Sequence, residues 1–369
     1  GVPNVHVEWA NNEKVAFENA WVASYTGKRA AVAMKQVGLN VAMDPLMSSA
    51  YIGTVGGFVI ISCDDPGPYS SATEQDTRFM AMFSTVPVFD PASPKEAQQM
   101  LPLAFELSEK YEIPVILRSV MRVSHAQQTI AFNPIFKAER KANFQRNPKR
   151  WSATPKYRFL LHKQLNLKLQ TIAEEFNSML SLNFIEHDLE KAVLGIIAGG
   201  IGYAIVRDIL SDLDLQENIP ILKIGTPFPF PTRVVEEFIQ KCDQVLILEE
   251  TEPVIELQIR DKSKITGRLD GRIPNEGEML PETVTQVITD LCKKFFIPAK
   301  EFPSTVTLER MVAGLGLPVR RPTLCSGCPH RASFFALKRA FPNAIFCGDI
   351  GCYTLGVNMD AVDTIHEMG

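Results

Sequence analysis

The sequence has no long uninterrupted hydrophobic run. Its longest apolar stretch, Val193 to Val206, is shorter than the ~20 residues that a membrane-spanning helix needs, and glycines interrupt it. A strong excess of one charge is also lacking, because 38 basic and 42 acidic residues leave a net charge of −4. We therefore expect neither a membrane nor a nucleic acid as a partner.

Cysteine is too scarce for a disulfide framework. Seven cysteines, an odd number, occur in 369 residues, which favours reduced thiols or a metal site and a cytoplasmic location. Hydrophobic residues make up 46% of the chain, enough for buried cores, and the length corresponds to about two or three domains. The first residue is glycine, and we expect the natural chain to continue beyond Gly369.

The first third of the chain alternates between β-branched runs and amphipathic stretches. This alternation is typical of a parallel sheet flanked by helices. We predict an α/β domain over residues 1–128, with strands at 5–7, 29–34, 58–62 and 114–117 and helices at 13–25 and 94–111.

The pattern fails over residues 129–174, where basic residues accumulate around Pro148 and Pro155. We interpret this segment as a crossover linker with a solvated basic face. A second α/β domain is predicted over 175–262, a linker over 263–320, and the start of an incomplete third domain over 321–369. The strands of the second domain are predicted at 192–197, 220–224 and 244–248.

Two features of the second domain each allow two interpretations. The glycines of Gly199-Gly200-Ile201-Gly202 open a helix after a strand, as in phosphate-binding loops, but the spacing is not G-x-G-x-x-G and favours tight packing. The acidic run Glu249 to Glu252 follows a strand at the edge where open sheets place ligands. Interface contacts would explain this run equally well.

The C-terminal part carries the densest cysteine motif. A C-x-x-C pair, Cys325 and Cys328, is followed by Cys352, a spacing that suits three ligands of an iron–sulfur cluster or a metal site with a fourth ligand beyond Gly369. Zinc binding or plain structural thiols are the alternatives. The remaining cysteines that lie in apolar contexts, Cys63, Cys242 and Cys292, are predicted core residues.

Ordered motifs along the chain resemble those of a known enzyme family. They are Asn12-Glu13-Lys14, Met34 to Asn40, Asp44 to Met47, Asp64 to Pro68, Ser70-Ser71, Glu74 to Arg78, Gly225-Thr226-Pro227-Phe228-Pro229, Glu249-Glu250, Cys325 to Arg331 and Gly348 to Gly356. Over nearly the whole chain, these motifs resemble the large subunits of indolepyruvate:ferredoxin oxidoreductases. These are thiamine-diphosphate enzymes of the 2-oxoacid:ferredoxin oxidoreductase superfamily.

The resemblance implies a thiamine-diphosphate-binding fold, in which the first domain binds the aminopyrimidine and the second is transketolase C-terminal-like. Glu13 would be the glutamate that hydrogen-bonds the pyrimidine ring and so assists removal of the thiazolium proton. Lys35 and Arg78 are the candidate cations for the substrate carboxylate, with surface ion pairing as the alternative. Gly38 and Asn40 would line the same pocket. From the sequence alone, a carboxylate at the start of a helix also favours the helix dipole.

The third domain would bind the cofactor's diphosphate through Mg²⁺. Gly348 and Asp349 match the start of the usual thiamine motif, but the sequence ends before the expected asparagine, so the Mg²⁺ ligands are expected beyond this chain. Cys325, Cys328 and Cys352 match in spacing three ligands of the cofactor-proximal [4Fe-4S] cluster of pyruvate-type relatives. His330, within the cysteine motif, would lie near the cofactor.

The resemblance further implies an oxygen-sensitive enzyme of anaerobic metabolism that decarboxylates an aryl-2-oxoacid, transfers the acyl group to CoA and reduces ferredoxin. A smaller β subunit would complete it. A sibling enzyme for pyruvate or 2-oxoglutarate is one alternative. A non-catalytic assembly subunit with a zinc or thiol knuckle is the other, although an intact Glu13 argues against it.

Overall fold

The computed structural model describes residues 5–131, 140–152, 154–300, 306–318 and 322–365, with backbone only for 306–309. The chain divides into two compact units, residues 1–301 and 302–369. Within the first unit, two sheets each form the centre of an α/β layer.

The first layer contains a four-stranded sheet in the order β1-β2-β4-β3, and all neighbouring pairs are parallel. Its elements are α1 (Glu13–Tyr25), β1 (Ala30–Lys35), α2 (Gln36–Val41), α3 (Met43–Ile52), β2 (Phe58–Asp64), α4 (Thr77–Ser84), β3 (Val88–Phe89), α5 (Pro94–Tyr111), β4 (Val115–Val120) and α6 (Met121–His125). The central strand β2 is buried on both faces through Phe58, Val59 and Ile60, as expected for a parallel sheet covered by helices.

Local sequence explains where the helices of this layer begin. The side chain of Asn12 accepts a hydrogen bond from Lys14 N at 2.8 Å and caps α1, so Glu13 becomes its first residue. Ser93 caps α5 in the same way, and Pro94 follows at the first helical position. Phe17, Trp21 and Ser24 form the buried face of α1.

The second layer contains a five-stranded sheet in the order β5-β7-β6-β8-β9, in which only the β5–β7 pair is antiparallel. The remaining elements of this unit are α7 (Pro148–Trp151), α8 (Pro155–Ser178), β5 (Asn183–Glu186), β6 (Ala192–Gly199), α9 (Ile201–Asp212), β7 (Ile221–Ile224), α10 (Thr232–Lys241), β8 (Cys242–Leu248), α11 (Val254–Gln258), β9 (Ile265–Thr266) and α12 (Pro281–Lys294).

The second unit is small. Its elements are α13 (Val306–Gly314), α14 (Pro329–Ala340), β10 (Cys347–Gly348), α15 (Cys352–Val357) and β11 (Thr364–Ile365). Strands β10 and β11 form a parallel pair, and Leu324, Phe334, Ala361 and Val362 form a compact apolar cluster.

The predicted α/β class with mainly parallel sheets is confirmed, whereas one predicted strand and two predicted linkers differ from the structure. Residues 5–7 form no strand, and Trp9 is 102% exposed. Alternating apolar residues favour a strand only if a neighbour supplies hydrogen bonds, and no described strand pairs with this segment. No described helix is both long and apolar enough to span a bilayer.

Two segments predicted as linkers contain long helices. Within 129–174 and just beyond it, α8 buries Leu161, Leu165, Ile172 and Phe176 on one face. Within 263–320, α12 buries Val284, Ile288 and Leu291 in the core of the second layer. Polar residues on the outer faces of these helices hid the apolar stripes in the sequence. Residues 132–139 of the predicted crossover, and the predicted boundary at 321, lie outside the described residues.

Candidate functional site

Polar side chains collect at the carboxyl edge of the first sheet. Strand β1 ends at Lys35, which lies opposite Cys63 of β2, and β2 continues into Asp64 and Asp65. Because parallel strands end at the same edge, the segments that follow β1 and β2 lie side by side. This edge also carries the half-buried Glu13 at the start of α1.

Glu13 and Gly38 are in close contact. A Cβ atom added to Gly38 would lie 2.5 Å from Glu13 Cγ and 2.8 Å from its Oε1. Only a residue without a side chain therefore leaves the Glu13 carboxylate in this position over α2. Asn40, the other predicted pocket residue of α2, is exposed.

Asp65 ties Lys35 to the loop that follows β2. Its Oδ2 accepts hydrogen bonds from Ser70 N at 3.0 Å, Ser71 Oγ at 2.8 Å and Lys35 Nζ at 3.4 Å. Burial opposes ionisation, but the donors from Ser70 and Ser71 hold the pKa of Asp65 below its ordinary value. Lys35 Nζ also donates to Ser70 Oγ at 2.9 Å, and its side chain keeps 35% of its surface exposed. Lys35 is thus oriented and still accessible.

Gln36, directly after Lys35, is a site residue that the sequence analysis did not single out. It is fully buried, and its Nε2 donates to Ser71 Oγ at 3.0 Å. Its Oε1 has no hydrogen-bond partner among the described residues. Its sequence position could have indicated this role, because Gln36 is a polar residue at the end of a strand and next to the candidate cation Lys35.

A second polar segment is hydrogen-bonded to the loop that follows β2 through Glu74. Residues 65–71 form the site loop, and residues 274–280 form a segment that we call the strap. The Glu74 carboxylate accepts hydrogen bonds from Gly67 N at 2.8 Å and from Gly277 N of the strap at 3.1 Å. Tyr69 Oη donates to Glu278 at 3.3 Å. A cavity of about 290 Å³ lies between the site loop and the strap, and Arg268, Ile273 and Thr283 also line it.

Arg78 does not lie in an open pocket, contrary to its prediction as a substrate-binding cation. It is fully buried, and each of its three nitrogens donates a hydrogen bond. Its partners are Asp76, Glu249 Oε2 at 2.7 Å, and the Glu252 carbonyl oxygen at 2.7 Å. Burial opposes the charge, but Asp76 raises the pKa of Arg78 above its ordinary value. Its donors are committed within the protein, so we do not retain it as a substrate ligand.

Arg78 belongs to a buried group of charges that joins the two layers, the interlayer ion-pair network. Arg118 Nε donates to Asp64 at 2.6 Å, its Nη1 contacts Asp90 at 3.2 Å, and its Nη2 donates to the Glu250 carbonyl oxygen at 2.7 Å. The members of the network are Asp64, Asp76, Arg78, Asp90, Arg118 and Glu249. Their charges alternate, which offsets the cost of burying them.

The network fills the ligand crevice of the second sheet. In the order β7-β6-β8, the connections after β6 and β8 leave in opposite directions, and open sheets bind ligands at such a point. Here the Asp90 carboxylate lies 2.7–2.9 Å from the position of a Cβ on Gly200, at the start of α9. Glu249 receives Arg78. The packing interpretation of the glycine loop and the interface interpretation of Glu249 and Glu250 are therefore the ones that the structure supports.

The predicted residues of the second unit lie in two places. Cys328 Sγ is 3.3 Å from His330 Nδ1, and the His330 ring contacts Tyr353, the neighbour of Cys352. Cys325 and Cys352 are exposed. Gly348 ends β10, and Asp349 Oδ1 accepts a hydrogen bond from Ile350 N at 2.7 Å.

The cysteine motif does not form a metal site in the described residues. No three histidine, cysteine or acidic side chains among them are grouped so as to hold a metal ion. An arrangement that fits a cluster is therefore absent from this part of the structure, and the spacing of the cysteines is the only support for one.

Comparison with known proteins gives relatives of a single kind along the whole chain. The chain is 42% identical to indolepyruvate oxidoreductase subunit IorA of Pyrococcus abyssi over an alignment of 380 positions, gaps included, which covers 99% of this chain and 57% of that protein. It is 38% identical to subunit IorA of Archaeoglobus fulgidus, covering 100% of this chain and 59% of that protein. The chain thus spans somewhat more than half the length of the curated relatives it matches. No protein-family model matches it.

A weaker sequence match and a similar solved structure were also found. Over 44% of this chain, the 2-oxoglutarate synthase subunit KorA of Archaeoglobus fulgidus is 27% identical. A 2-oxoglutarate:ferredoxin oxidoreductase from Magnetococcus marinus, solved with 2-oxoglutarate, coenzyme A and succinyl-CoA, superposes with a TM-score of 0.59 at 17% identity. The superposition covers 76% of this chain and 56% of the solved chain. At this level of identity, the similarity shows the fold alone. The resemblance inferred from the motifs is confirmed.

Proposed function

We propose, from the homology of this chain to the IorA subunits of indolepyruvate oxidoreductases, that it forms part of a cytoplasmic, thiamine-diphosphate-dependent 2-oxoacid:ferredoxin oxidoreductase. The enzyme would convert an aryl-2-oxoacid such as indolepyruvate and CoA into aryl-acetyl-CoA and CO₂ while reducing ferredoxin. A smaller β subunit would complete it. The contact between Glu13 and Gly38 is the observation that carries the proposal.

The residues present fit the aminopyrimidine end of thiamine diphosphate. A half-buried carboxylate at the start of α1 is held over a glycine whose missing side chain makes room for it. Glu13 would hydrogen-bond a pyrimidine ring nitrogen and share a proton with it. When bound, the cofactor supplies the electron sink that decarboxylation of a 2-oxoacid needs.

Lys35 is the proposed partner of the substrate carboxylate. Its ammonium group is held by Asp65 and Ser70 at the carboxyl edge of the sheet, and a third of its side-chain surface remains accessible. A partly shielded cation that is fixed by two hydrogen bonds orients an anion better than a mobile surface lysine does. Gly38 belongs to the same site, whereas Asn40 would serve at its rim.

The residues that bind Mg²⁺ and the diphosphate are proposed to lie mainly outside this chain. Gly348 and Asp349 would form only one side of that binding site. The iron–sulfur cluster is supported by the spacing of Cys325, Cys328 and Cys352 only, and we derive no step through it. Iron and acid-labile sulfide in the anaerobically purified enzyme would test it. A Cys325→Ser enzyme with unchanged iron would assign the motif a structural role.

The reaction is tested by anaerobic, CoA-dependent reduction of a viologen dye with the enzyme purified together with its partner subunit. Indolepyruvate, phenylpyruvate, pyruvate and 2-oxoglutarate are compared. We expect preference for the aryl acids and loss of turnover in Glu13→Gln, which keeps shape but removes the proton-sharing carboxylate. Glu18→Gln, on the exposed side of the same helix, is the matched control.

Preference for pyruvate or 2-oxoglutarate would keep the chemistry and assign the chain to a sibling enzyme. Retained turnover in Glu13→Gln would remove Glu13 from the mechanism. No reduction with any of the acids in cofactor-loaded enzyme would favour a non-catalytic subunit.

A further inference from the structure

The orientation of the Gln36 carboxamide is determined by its neighbours. Ser71 has one hydroxyl hydrogen, and it donates this hydrogen to Asp65 Oδ2 at 2.8 Å. Asp65 also accepts from Lys35 and from Ser70 N, so it is an ionised acceptor in this arrangement. Ser71 Oγ can therefore only accept from Gln36, which requires the Nε2 end of the carboxamide to face it. Gln36 Oε1 must then face away from Ser71.

The position of Gln36 distinguishes it from other buried polar groups. It lies between Lys35, whose Nζ is bound to Ser70 of the same loop, and Gly38, which contacts Glu13. Both neighbours belong to the proposed site. A carboxamide that is fully buried, rigidly oriented and left without a donor among the described residues is costly unless a ligand supplies that donor.

The missing partner must be a hydrogen-bond donor. Carboxylates and ionised phosphates only accept, so the substrate carboxylate cannot satisfy an amide oxygen and is left to Lys35. Among the groups that would bind beside Glu13 and Lys35 in the proposed reaction, two carry an N–H on a flat nitrogen heterocycle: the amino group of the aminopyrimidine and the indole ring of indolepyruvate.

We propose that Gln36 is a ligand-binding residue whose Oε1 accepts a hydrogen bond from an N–H of a bound nitrogen heterocycle. The proposal rests on the proposed function and deepens it. The Gln36–Ser71–Asp65–Lys35 chain of hydrogen bonds then couples recognition of the heterocycle to the position of the substrate-binding cation.

The test uses Gln36→Met in the enzyme with its partner subunit. Methionine keeps the length of the side chain and removes both the Oε1 acceptor and the Nε2 donor to Ser71. Gln75→Met is the matched control, because Gln75 lies on the neighbouring segment and also has a buried Oε1 without a partner among the described residues. Three quantities are measured: the Kd of thiamine diphosphate for the apoenzyme, the KM of indolepyruvate against that of phenylpyruvate, and the Tm of the apoenzyme.

We expect Gln36→Met to weaken the binding of one of the ligands about three- to tenfold, which is the effect of losing one hydrogen bond. The Tm of the apoenzyme should not fall. A raised KM for indolepyruvate alone identifies the indole N–H, since phenylpyruvate lacks it. A raised Kd for thiamine diphosphate identifies the aminopyrimidine. Gln75→Met should change none of these affinities.

Ligand constants that all stay within twofold of the wild type would overturn the proposal, and a lowered Tm beside them would make Gln36 structural. That outcome is distinct from failure of the proposed function, in which the wild-type enzyme itself turns over none of the acids. The thiamine diphosphate Kd needs no turnover, so it still tests the contact with the aminopyrimidine if the wild-type enzyme turns over none of the acids.

Discussion

Gly38 is the residue on which the position of Glu13 depends most directly. In Gly38→Ala the new Cβ would lie within 3.0 Å of three Glu13 atoms, so the carboxylate must move. We expect kcat to fall at least about tenfold, because a displacement of about 1 Å in a catalytic group has effects of this size. Stability should stay the same or rise by up to about 1 kcal/mol, since alanine favours a helix more than glycine does.

The matched control for this prediction is Gly314→Ala. Gly314 also lies in a helix, but a Cβ there would meet no atom within 4 Å. Dye reduction and thermal unfolding are measured for both variants. Wild-type kcat in Gly38→Ala would mean that the carboxylate does not need its present position.

Glu250, which lies at the boundary between the two layers, makes the stability of the protein depend on pH. Burial is the main reason why the pKa of Glu250 rises to about 7. The nearby Glu278 also raises this pKa, whereas Arg118 and Arg268 lower it. The folded protein then holds this proton more tightly than the unfolded chain. The contribution of Glu250 to stability is therefore fully present below the unfolded carboxyl pKa of about 4.3 and is lost as the pH rises through about 7.

Glu250→Gln should remove this loss, because glutamine stays neutral and can still accept the hydrogen bond from Met279 N. We expect a gain in the free energy of unfolding on the order of 2 kcal/mol at pH 8 and little change at pH 5. Urea unfolding at the two pH values measures it. Glu236→Gln, on the exposed face of α10, is the control, and an equal effect of both variants would contradict the assignment to Glu250.

At the scale of single residues, the sequence could suggest candidate site residues whose signals are local, and these candidates stay predictions. Glu13 and Lys35 follow from a helix start, a strand end and a family motif. Arg78 carries the same kind of signal, but its partner Glu249 is 171 residues away in the sequence. Whether a cation is free or already paired depends on such distant contacts, and no local pattern contains them.

Among the larger elements, the strap and the site loop are joined mainly through one carboxylate. Glu74 accepts the amide hydrogens of Gly67 and Gly277 and so links the two segments. In Glu74→Ala both amides lose a charged acceptor, so we expect their hydrogen exchange to accelerate about tenfold or more. The KM for the 2-oxoacid should also rise, because the site loop carries Ser70, which holds Lys35.

Hydrogen exchange with mass spectrometry, resolved to peptides over 65–71 and 274–280, measures the first effect. Glu276→Ala is the control, since Glu276 lies in the strap but is exposed. If exchange in the site loop were unchanged in Glu74→Ala, the strap would have no part in positioning it.

The regular elements were largely predictable, and the exceptions have a common physical cause. Helices α1 and α5 have their predicted bounds because a cap and an apolar stripe mark them in the sequence. The two-residue strands β3, β9, β10 and β11 and the four-residue strand β5 were not predicted, and the segment at 5–7 was predicted wrongly. A short strand exists only through its neighbour, so the sequence of the strand itself carries little information about it.

The whole first unit depends on how its two layers are joined. Both sheets bring polar carboxyl edges to the boundary, and a boundary of that kind cannot be stabilised by apolar packing alone. The interlayer ion-pair network satisfies these edges with alternating charges, and it also fills the crevice in which the second sheet would otherwise bind a ligand. The ligand chemistry that we propose therefore lies at the first sheet, where Glu13, Lys35 and Gln36 are found.

Loss of Arg78 from this network should lower the free energy of unfolding of the whole first unit. Arg78→Met would leave Asp76 and Glu249 buried without their shared cation, although Arg118 helps to keep the pKa of Asp76 below its ordinary value. Breaking a buried pair in this way costs about 3 to 5 kcal/mol of unfolding free energy. Arg207→Met removes an exposed arginine of α9 and should cost no more than about 1 kcal/mol.

Urea unfolding of the two variants, followed by fluorescence and by circular dichroism, measures the difference. If the network joins the layers into one cooperative unit, the loss in Arg78→Met appears in both signals at the same urea concentration. Two separated transitions would mean that the layers unfold independently once Arg78 is gone. A loss below about 1 kcal/mol would mean that water or Arg118 replaces the guanidinium, and that the layers are joined chiefly by their apolar contacts.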